Sequence, residues 1–320
     1  RDVRDGKIVD PGFVPVIFEH PPEMVESGEC LKLENVAMVN PNMGFSVDRA
    51  FIEREFKKAE AAGPESFRGF LAKHANVELG MNLRSDRWAG SDFWEAQGTA
   101  KGLTLDELIA RSEVIDIGID GGGLDDLLGL AVLGRDAKTR QWLLWARAWA
   151  HPSVLERRKD IAPRLHDFAK DGDLGLVKVI GDDVAEVAEI CAQVYESGKL
   201  DKIGCDPAGL GGIIDSILQA DVPNEYMVAV TQGWKMTGAI KTAERKLAEG
   251  VMVHAGQPLM AWCCGNAKIE PRGNAVIITK QAAGTAKIDP LMAMFNAVTL
   301  MSLNPGSENI DDFINNFIAG

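Results

Sequence analysis

Three aspartates stand where acidic side chains can gather. Asp120 ends the run Val114-Ile-Asp-Ile-Gly-Ile-Asp120, Asp206 follows Lys202-Ile-Gly-Cys205, and Asp289 opens Asp289-Pro-Leu-Met292. In an open α/β sheet, sites collect at strand ends, and carboxylates brought together there repel unless a cation neutralises them. A pair of Mg²⁺ or Mn²⁺ ions meets that need. Held about 4 Å apart by bridging carboxylates, one ion activates water and the other stabilises the leaving oxygen of a phosphodiester. Asp126, in the glycine-rich loop after Asp120, is a second-tier ligand. Asp116 reads as a solvated strand position, Asp125 as a turn residue, and His254 as structural. Asp206-Pro207 and Asp289-Pro290 also have the form of a helix N-cap followed by proline at the first helical position, so a purely structural role stays open for both.

The surrounding pattern says which elements would position these groups. Apolar residues at 115, 117 and 119 alternate with Asp116, Gly118 and Asp120, the period of a strand with one buried face. Runs at 127–134 and 141–149 follow closely, predicting a meander of three antiparallel strands. Helices are then expected at 153–170, 183–196, 213–220, 234–249, 259–266 and 289–303, with strands at 176–180, 202–205, 227–231 and 275–279. This is the order of a ribonuclease H-like α/β fold, a mixed sheet flanked by helices. Residues 1 to about 110 differ, with a short edge strand at 13–18, amphipathic helices at 47–59 and 66–74, and proline-rich loops. Segment 82–102, carrying Trp88, Phe93 and Trp94, reads as a connector that packs on something. The domain boundary is placed near residue 110, and 304–320 reads as an acidic tail.

Bulk properties narrow the function. At 320 residues with 46% hydrophobic and 25% charged content, the chain can build a large core in water. No run approaches the ~18 apolar residues of a membrane span, and the charged N-terminus lacks a signal-peptide core, which points to the cytoplasm and to no membrane partner. Five cysteines without a CxxC pair suit a reducing compartment and argue against structural zinc. The net charge of −13 excludes a generally basic nucleic-acid-binding surface, so DNA would need a local patch. Candidates are Arg157-Arg-Lys159, Lys268, Arg272, Lys280, and the helical stripe Lys235, Lys241, Arg245 and Lys246. No GxxxxGK[ST] phosphate loop is present: Gly6-Lys7 is followed by Ile8, and Gly198-Lys199 by Leu200. The chain opens on Arg1, which suggests a processed chain or a fragment of a longer one.

Three blocks carry a resemblance. Gly118-Ile-Asp-Gly-Gly-Gly-Leu-Asp-Asp126, Val253-His-Ala-Gly-Gln-Pro-Leu-Met-Ala-Trp262 with Asn266, and Lys287-Ile-Asp-Pro-Leu-Met-Ala-Met294 resemble the nuclease domain of tailed-phage terminase large subunits. Upstream, Pro15-Val-Ile-Phe-Glu-His-Pro21 and Val39-Asn-Pro-Asn-Met-Gly-Phe-Ser-Val-Asp48 are similar to the back half of that family's packaging ATPase domain. The resemblance implies a remnant of the ATPase domain and linker at 1–110, a ribonuclease H-like nuclease at 111–303, and a tail at 304–320. It implies an endonuclease that cuts concatemeric viral double-stranded DNA with two divalent ions, with Asp120, Asp206 and Asp289 as the metal-binding acids. Lys287 would face the scissile phosphate, its ordinary alternative being a solvated lysine, and Lys235, Lys241 and Arg245 would contact phosphates. A small terminase subunit and a portal protein are the implied partners, in the cytoplasm of a bacterial host. ATP hydrolysis is not expected without a phosphate loop. Two other readings stay open: an actin-like or sugar-kinase-type phosphotransferase, suggested by the glycine turns at 119–123 and 206–212, and a non-catalytic packaging scaffold.

Overall fold

The computed structural model describes residues 3, 9–14, 16–21, 24, 27, 29–76, 87–99, 102–123, 125–159, 161–206, 211–280 and 287–306. Two compact units are present, Arg1–Ser85 and Asp86–Gly320. In the first, helices α1 (Arg49–Ala61) and α2 (Pro64–His74) enclose a small core of Cys30, Val36, Ile52, Phe70 and Leu71. Asp48 caps α1 by accepting the Ala50 amide, and Phe56 packs edge-on against Phe67 and Phe70. Among the described residues of 13–18, the expected edge strand does not form. An edge strand needs a sheet to extend, and the described residues of this unit make none.

The second unit begins with α3 (Leu105–Arg111), capped by Thr104, and the antiparallel meander β1 (Ser112–Gly121), β2 (Leu127–Asp136) and β3 (Trp142–Ala150). There follow α4 (Pro152–Arg157), α5 (Ala162–Lys170), β4 (Leu174–Leu176), α6 (Asp182–Glu196), β5 (Leu200–Cys205), α7 (Gly211–Gln219) and β6 (Met227–Ala229). Then come α8 (Thr237–Ala248), β7 (Met252–His254), α9 (Pro258–Asn266), the hairpin β8 (Ala267–Arg272) and β9 (Ala275–Lys280), and α10 (Asp289–Met301). The main sheet runs β4-β3-β2-β1-β5-β6, with β7 also on β3; β5 lies parallel to β1, and β6 parallel to β5. This mixed sheet flanked by helices has the ribonuclease H-like order expected from the sequence.

Several expectations need correction. The helix expected at 153–170 is two, because Pro152 and Pro163 each lack an amide proton and sit at the start of a helix. The strand expected at 176–180 shrinks to β4, leaving Val179 and Ile180 exposed. The helix expected from 234 begins as a 3₁₀ turn, Gly233–Met236, and β7 and β8 were not foreseen. The boundary near 110 moves to Asp86. Trp88 is fully buried edge-on against Phe295 and Trp94 stacks on His254, their ring centroids 5.2 Å and 4.0 Å apart, so the connector belongs to this core.

The most consequential correction concerns β1, which is buried on both faces. Ile115, Ile117 and Ile119 pack in one core with Val187, Cys191, Ile213 and Ile217 from α6 and α7. Helix α10 covers the other face, with all but one of its residues buried. Its backbone approaches the sheet more closely than side chains allow. A Cβ on Gly118 would overlap the Ala293 carbonyl oxygen and stand 2.7 Å from the Ala297 nitrogen, and one on Gly129 would stand 2.6 Å from the Pro290 nitrogen. Asp116 shares the Gly118 face by strand alternation and is therefore no solvated position: it is fully buried. Burial first, and the charge of Asp201 second, push its carboxyl up to about 8.

Two predictions follow from this packing. Gly118→Ala should destabilise the protein by about 2–3 kcal/mol or more, read as a lowered Tm, because helix and strand must separate. Gly123→Ala, with open space around it, should leave Tm nearly unchanged. The raised carboxyl of Asp116 means that the folded state binds its proton more tightly than the unfolded state does. Its contribution is fully present below the ordinary carboxylate range and is lost as pH rises to about 8. Asp116→Asn, which mimics the protonated form, should therefore gain stability over wild type progressively between pH 5 and 8. The gain at alkaline pH should reach several kcal/mol, at about 1.4 kcal/mol per pH unit. A difference in melting temperature that does not vary with pH would refute this.

Candidate metal centre

Register brings the acids together. Ile119 pairs with Cys205 across the parallel β1–β5 ladder, so the next residues, Asp120 and Asp206, stand side by side just past the end of that ladder, on strands about 4.8 Å apart. On the other flank Asp120 pairs with Gly129 of β2, and Pro290 rests over that glycine. Asp289 is thus the first residue of a helix whose start lies over the end of β1. Buried Asn296, two turns on, fixes this placement by donating to the Ile119 carbonyl at 2.8 Å. Asp126 joins from the loop leading into β2.

Each acid meets a different counter-group. Gln232, just beyond β6, donates its side-chain amide to Asp120 Oδ1. Lys287 Nζ donates to Asp126 Oδ1 at 2.8 Å and to the Asp125 carbonyl at 2.6 Å. Lys280 Nζ, at the end of β9, contacts Asp126 Oδ2 and lies 3.7 Å from Asp289 Oδ1. Asp125 pairs with Arg158 at 2.9 Å. Burial pushes Asp120 up to about 6; the Gln232 hydrogen bond opposes the rise, and the nearby charge of Asp206 adds to it. Burial, and then the Asp126 charge, hold Asp289 well above the usual carboxylate range. Asp126 goes the other way: burial disfavours its charge, but hydrogen bonds from Lys280, Lys287 and Asp289 outweigh burial and keep it ionised.

The donor chemistry suits a hard divalent cation, with carboxylate oxygens on separate rigid elements and the buried Asp289 Oδ2 accepting no hydrogen bond. The acids do not yet converge on one point. Among the described residues no three His, Cys, Asp or Glu side chains form a ready-made ligand group.

The sequence candidates sort as follows. Asp120, Asp126, Asp206 and Asp289 share one end of the sheet. The N-cap alternative for Asp289 does not hold, since Ile288 occupies the cap and Asp289 is the first helical residue; Pro207, needed to judge Asp206, lies outside the described residues. Lys287 is not a solvated lysine but is buried, locked onto Asp126. Lys241 and Arg245 are exposed and pair with Glu244 and Glu249 on their own helix, at 2.8 Å and 2.7 Å. Lys235 lies on the segment that carries Gln232, its ammonium 5.8 Å from the Trp234 ring centre. His254 is structural, its Nε2 against the Trp94 carbonyl at 2.6 Å. Sequence reasoning missed Gln232 and placed Lys280 only among loose basic candidates. The position of Gln232 just past a strand, at the same sheet end as the acids, was the available signal.

A ribonuclease H-like domain with an acidic cluster at the end of its central strand is one class of nuclease scaffold, and comparison with known proteins narrows the class. Residues 18–304 match the family "Terminase large subunit, endonuclease domain", and the chain belongs to that family. The chain is 23% identical to Protein YmfN of Escherichia coli (strain K12), covering 87% of this chain and 61% of that protein. It is also 23% identical to the large terminase subunit of Enterobacteria phage HK97, covering 96% of this chain and 58% of that one. The crystal structure of the HK97 large terminase superposes with a TM-score of 0.56 at 20% identity, over 93% of this chain and 59% of that chain. The chain therefore spans about three fifths of the length of the curated relatives it matches.

Proposed function

We propose that this chain is a metal-dependent endonuclease that cuts concatemeric double-stranded viral DNA during genome packaging. The observation that carries the reading is the gathering of Asp120, Asp126, Asp206 and Asp289, from three separate parts of the chain, at one end of the sheet. Asp120, Asp206 and Asp289, with Asp126 in support, would hold two Mg²⁺ or Mn²⁺ ions. When bound, such ions supply an activated water and neutralise the leaving oxygen. The chain's own groups set the geometry: Gln232 orients Asp120, Lys287 orients Asp126, and Asn296 ties α10 to β1. For DNA to be held, Lys235, Lys241 and Arg245 would turn their cations to phosphates; the solvent-exposed Arg245–Glu249 pair, worth only ~0–1 kcal/mol, permits that exchange readily, whereas Glu244, the partner of Lys241, is largely enclosed. ATP hydrolysis by a phosphate loop is not part of the proposal, since that motif is absent from the sequence. A small terminase subunit, a portal protein and the cytoplasm of a bacterial host complete it. Among the described residues no helix is long and apolar enough to cross a membrane.

The test is plasmid cleavage by the purified chain with Mn²⁺, Mg²⁺, Ca²⁺ or chelator, beside Asp120→Asn and Asp289→Asn. Cleavage is expected with Mn²⁺ or Mg²⁺, poorly with Ca²⁺, whose larger and looser coordination suits the chemistry less. Each variant should lose at least about a hundredfold in rate while staying folded by circular dichroism. Cleavage that persists in chelator, or in either variant, would overturn the reading.

A further inference from the structure

The two lysines of the acidic cluster are placed differently. Lys287 is almost fully enclosed, its ammonium satisfied by Asp126 and the Asp125 carbonyl on the segment that leads straight into α10. Lys280 is 40% exposed at its side chain and stands at the end of a two-stranded hairpin that is no part of the main sheet. Its ammonium nevertheless reaches between two acids that come from distant parts of the sequence, contacting Asp126 Oδ2 and lying 3.7 Å from Asp289 Oδ1. Asp289 keeps one oxygen, Oδ2, buried and accepting no hydrogen bond. No three acids among the described residues close on a common point. The carboxylates are arranged around an ammonium group, which needs longer contacts than a divalent ion does.

We propose that Lys280 is a positioning residue that serves as a resident counter-cation: it holds Asp126 and Asp289 together without metal and is displaced when a divalent ion binds. The inference rests on the metal-centre reading above. An oxygen-ligated Mg²⁺ or Mn²⁺ draws carboxylates to about 2.1 Å, and an ammonium beside it would be a like charge at short range. Metal and Lys280 therefore compete for the same oxygens, while Lys287, on the far oxygen of Asp126, can stay. The exposed stem and hairpin-end position of Lys280 give it somewhere to go.

Competition fixes the sign of the test. Mn²⁺ binding is measured by calorimetry on the whole chain, without DNA, for wild type, Lys280→Met and Lys280→Arg. Lys280→Met removes the charge but keeps the apolar stem, so it should bind Mn²⁺ roughly tenfold more tightly, the size usual for coupled ligands. Its metal-free Tm should fall, since Asp126 keeps only Lys287 as counter-charge, and the rise in Tm on adding Mn²⁺ should exceed that of wild type. Lys280→Arg should stay near the wild-type affinity. Equal or weaker Mn²⁺ binding by Lys280→Met would overturn the proposal and leave the metal centre standing. Absence of Mn²⁺ binding in all three proteins would overturn the metal-centre reading and this inference with it.

Discussion

The contact on which the rest of the second unit depends is backbone against backbone. Helix α10 lies directly on β1 and β2 because Gly118 and Gly129 present no side chains where Ala293, Ala297 and Pro290 pass. Close approach of two rigid elements sets position more sharply than loop contacts do. It carries Asp289, late in the sequence, to the end of the strand that bears Asp120. Burial of nearly the whole helix stabilises that placement through the hydrophobic effect. The buried Asn296 amide then holds β1 at Ile119, the residue before the acid.

Acids brought together in this way must be neutralised, and the structure does so by three physical means. A proton is favoured on Asp289 by burial, an amide donor faces Asp120, and two ammonium groups flank Asp126. None of these needs a bound ion to keep the fold intact, and each can give way to one. The surface pairs on α8 differ in kind. Arg245–Glu249 is well solvated and breaking it changes stability little, whereas Glu244, the partner of Lys241, is largely enclosed.

Much of the fold was legible because local patterns carried it. Alternation over 115–120 and the two apolar runs after it announced the meander, and the helices α6, α7 and α10 announced themselves by spacing or by uniform apolarity. Three of the candidate acids were legible for a related reason: Asp120, Asp206 and Asp289 each sit beside a glycine or proline. What failed was any inference about the second face of β1. Alternation made Asp116 look solvated, yet the group that covers it comes from residues 289–301, and nothing near Asp116 in the sequence signals that cover. Short elements failed as well. β4 and β7 span three residues each and exist as strands because of the partners they meet.

By itself the sequence determined most of the order of strands and helices, the absence of a phosphate loop, and the chemical type of the candidate site, since carboxylates at strand ends call for a cation. Tertiary structure alone decided which acids meet, which lysines join them, and which polar side chain is hidden. It placed Lys280 and Lys287 on opposite oxygens of Asp126 and set Gln232 against Asp120. The physical reason is range. Periodicity and capping act over a few residues and can be read along the chain, whereas register between strands and the approach of a helix to a sheet join residues far apart in sequence.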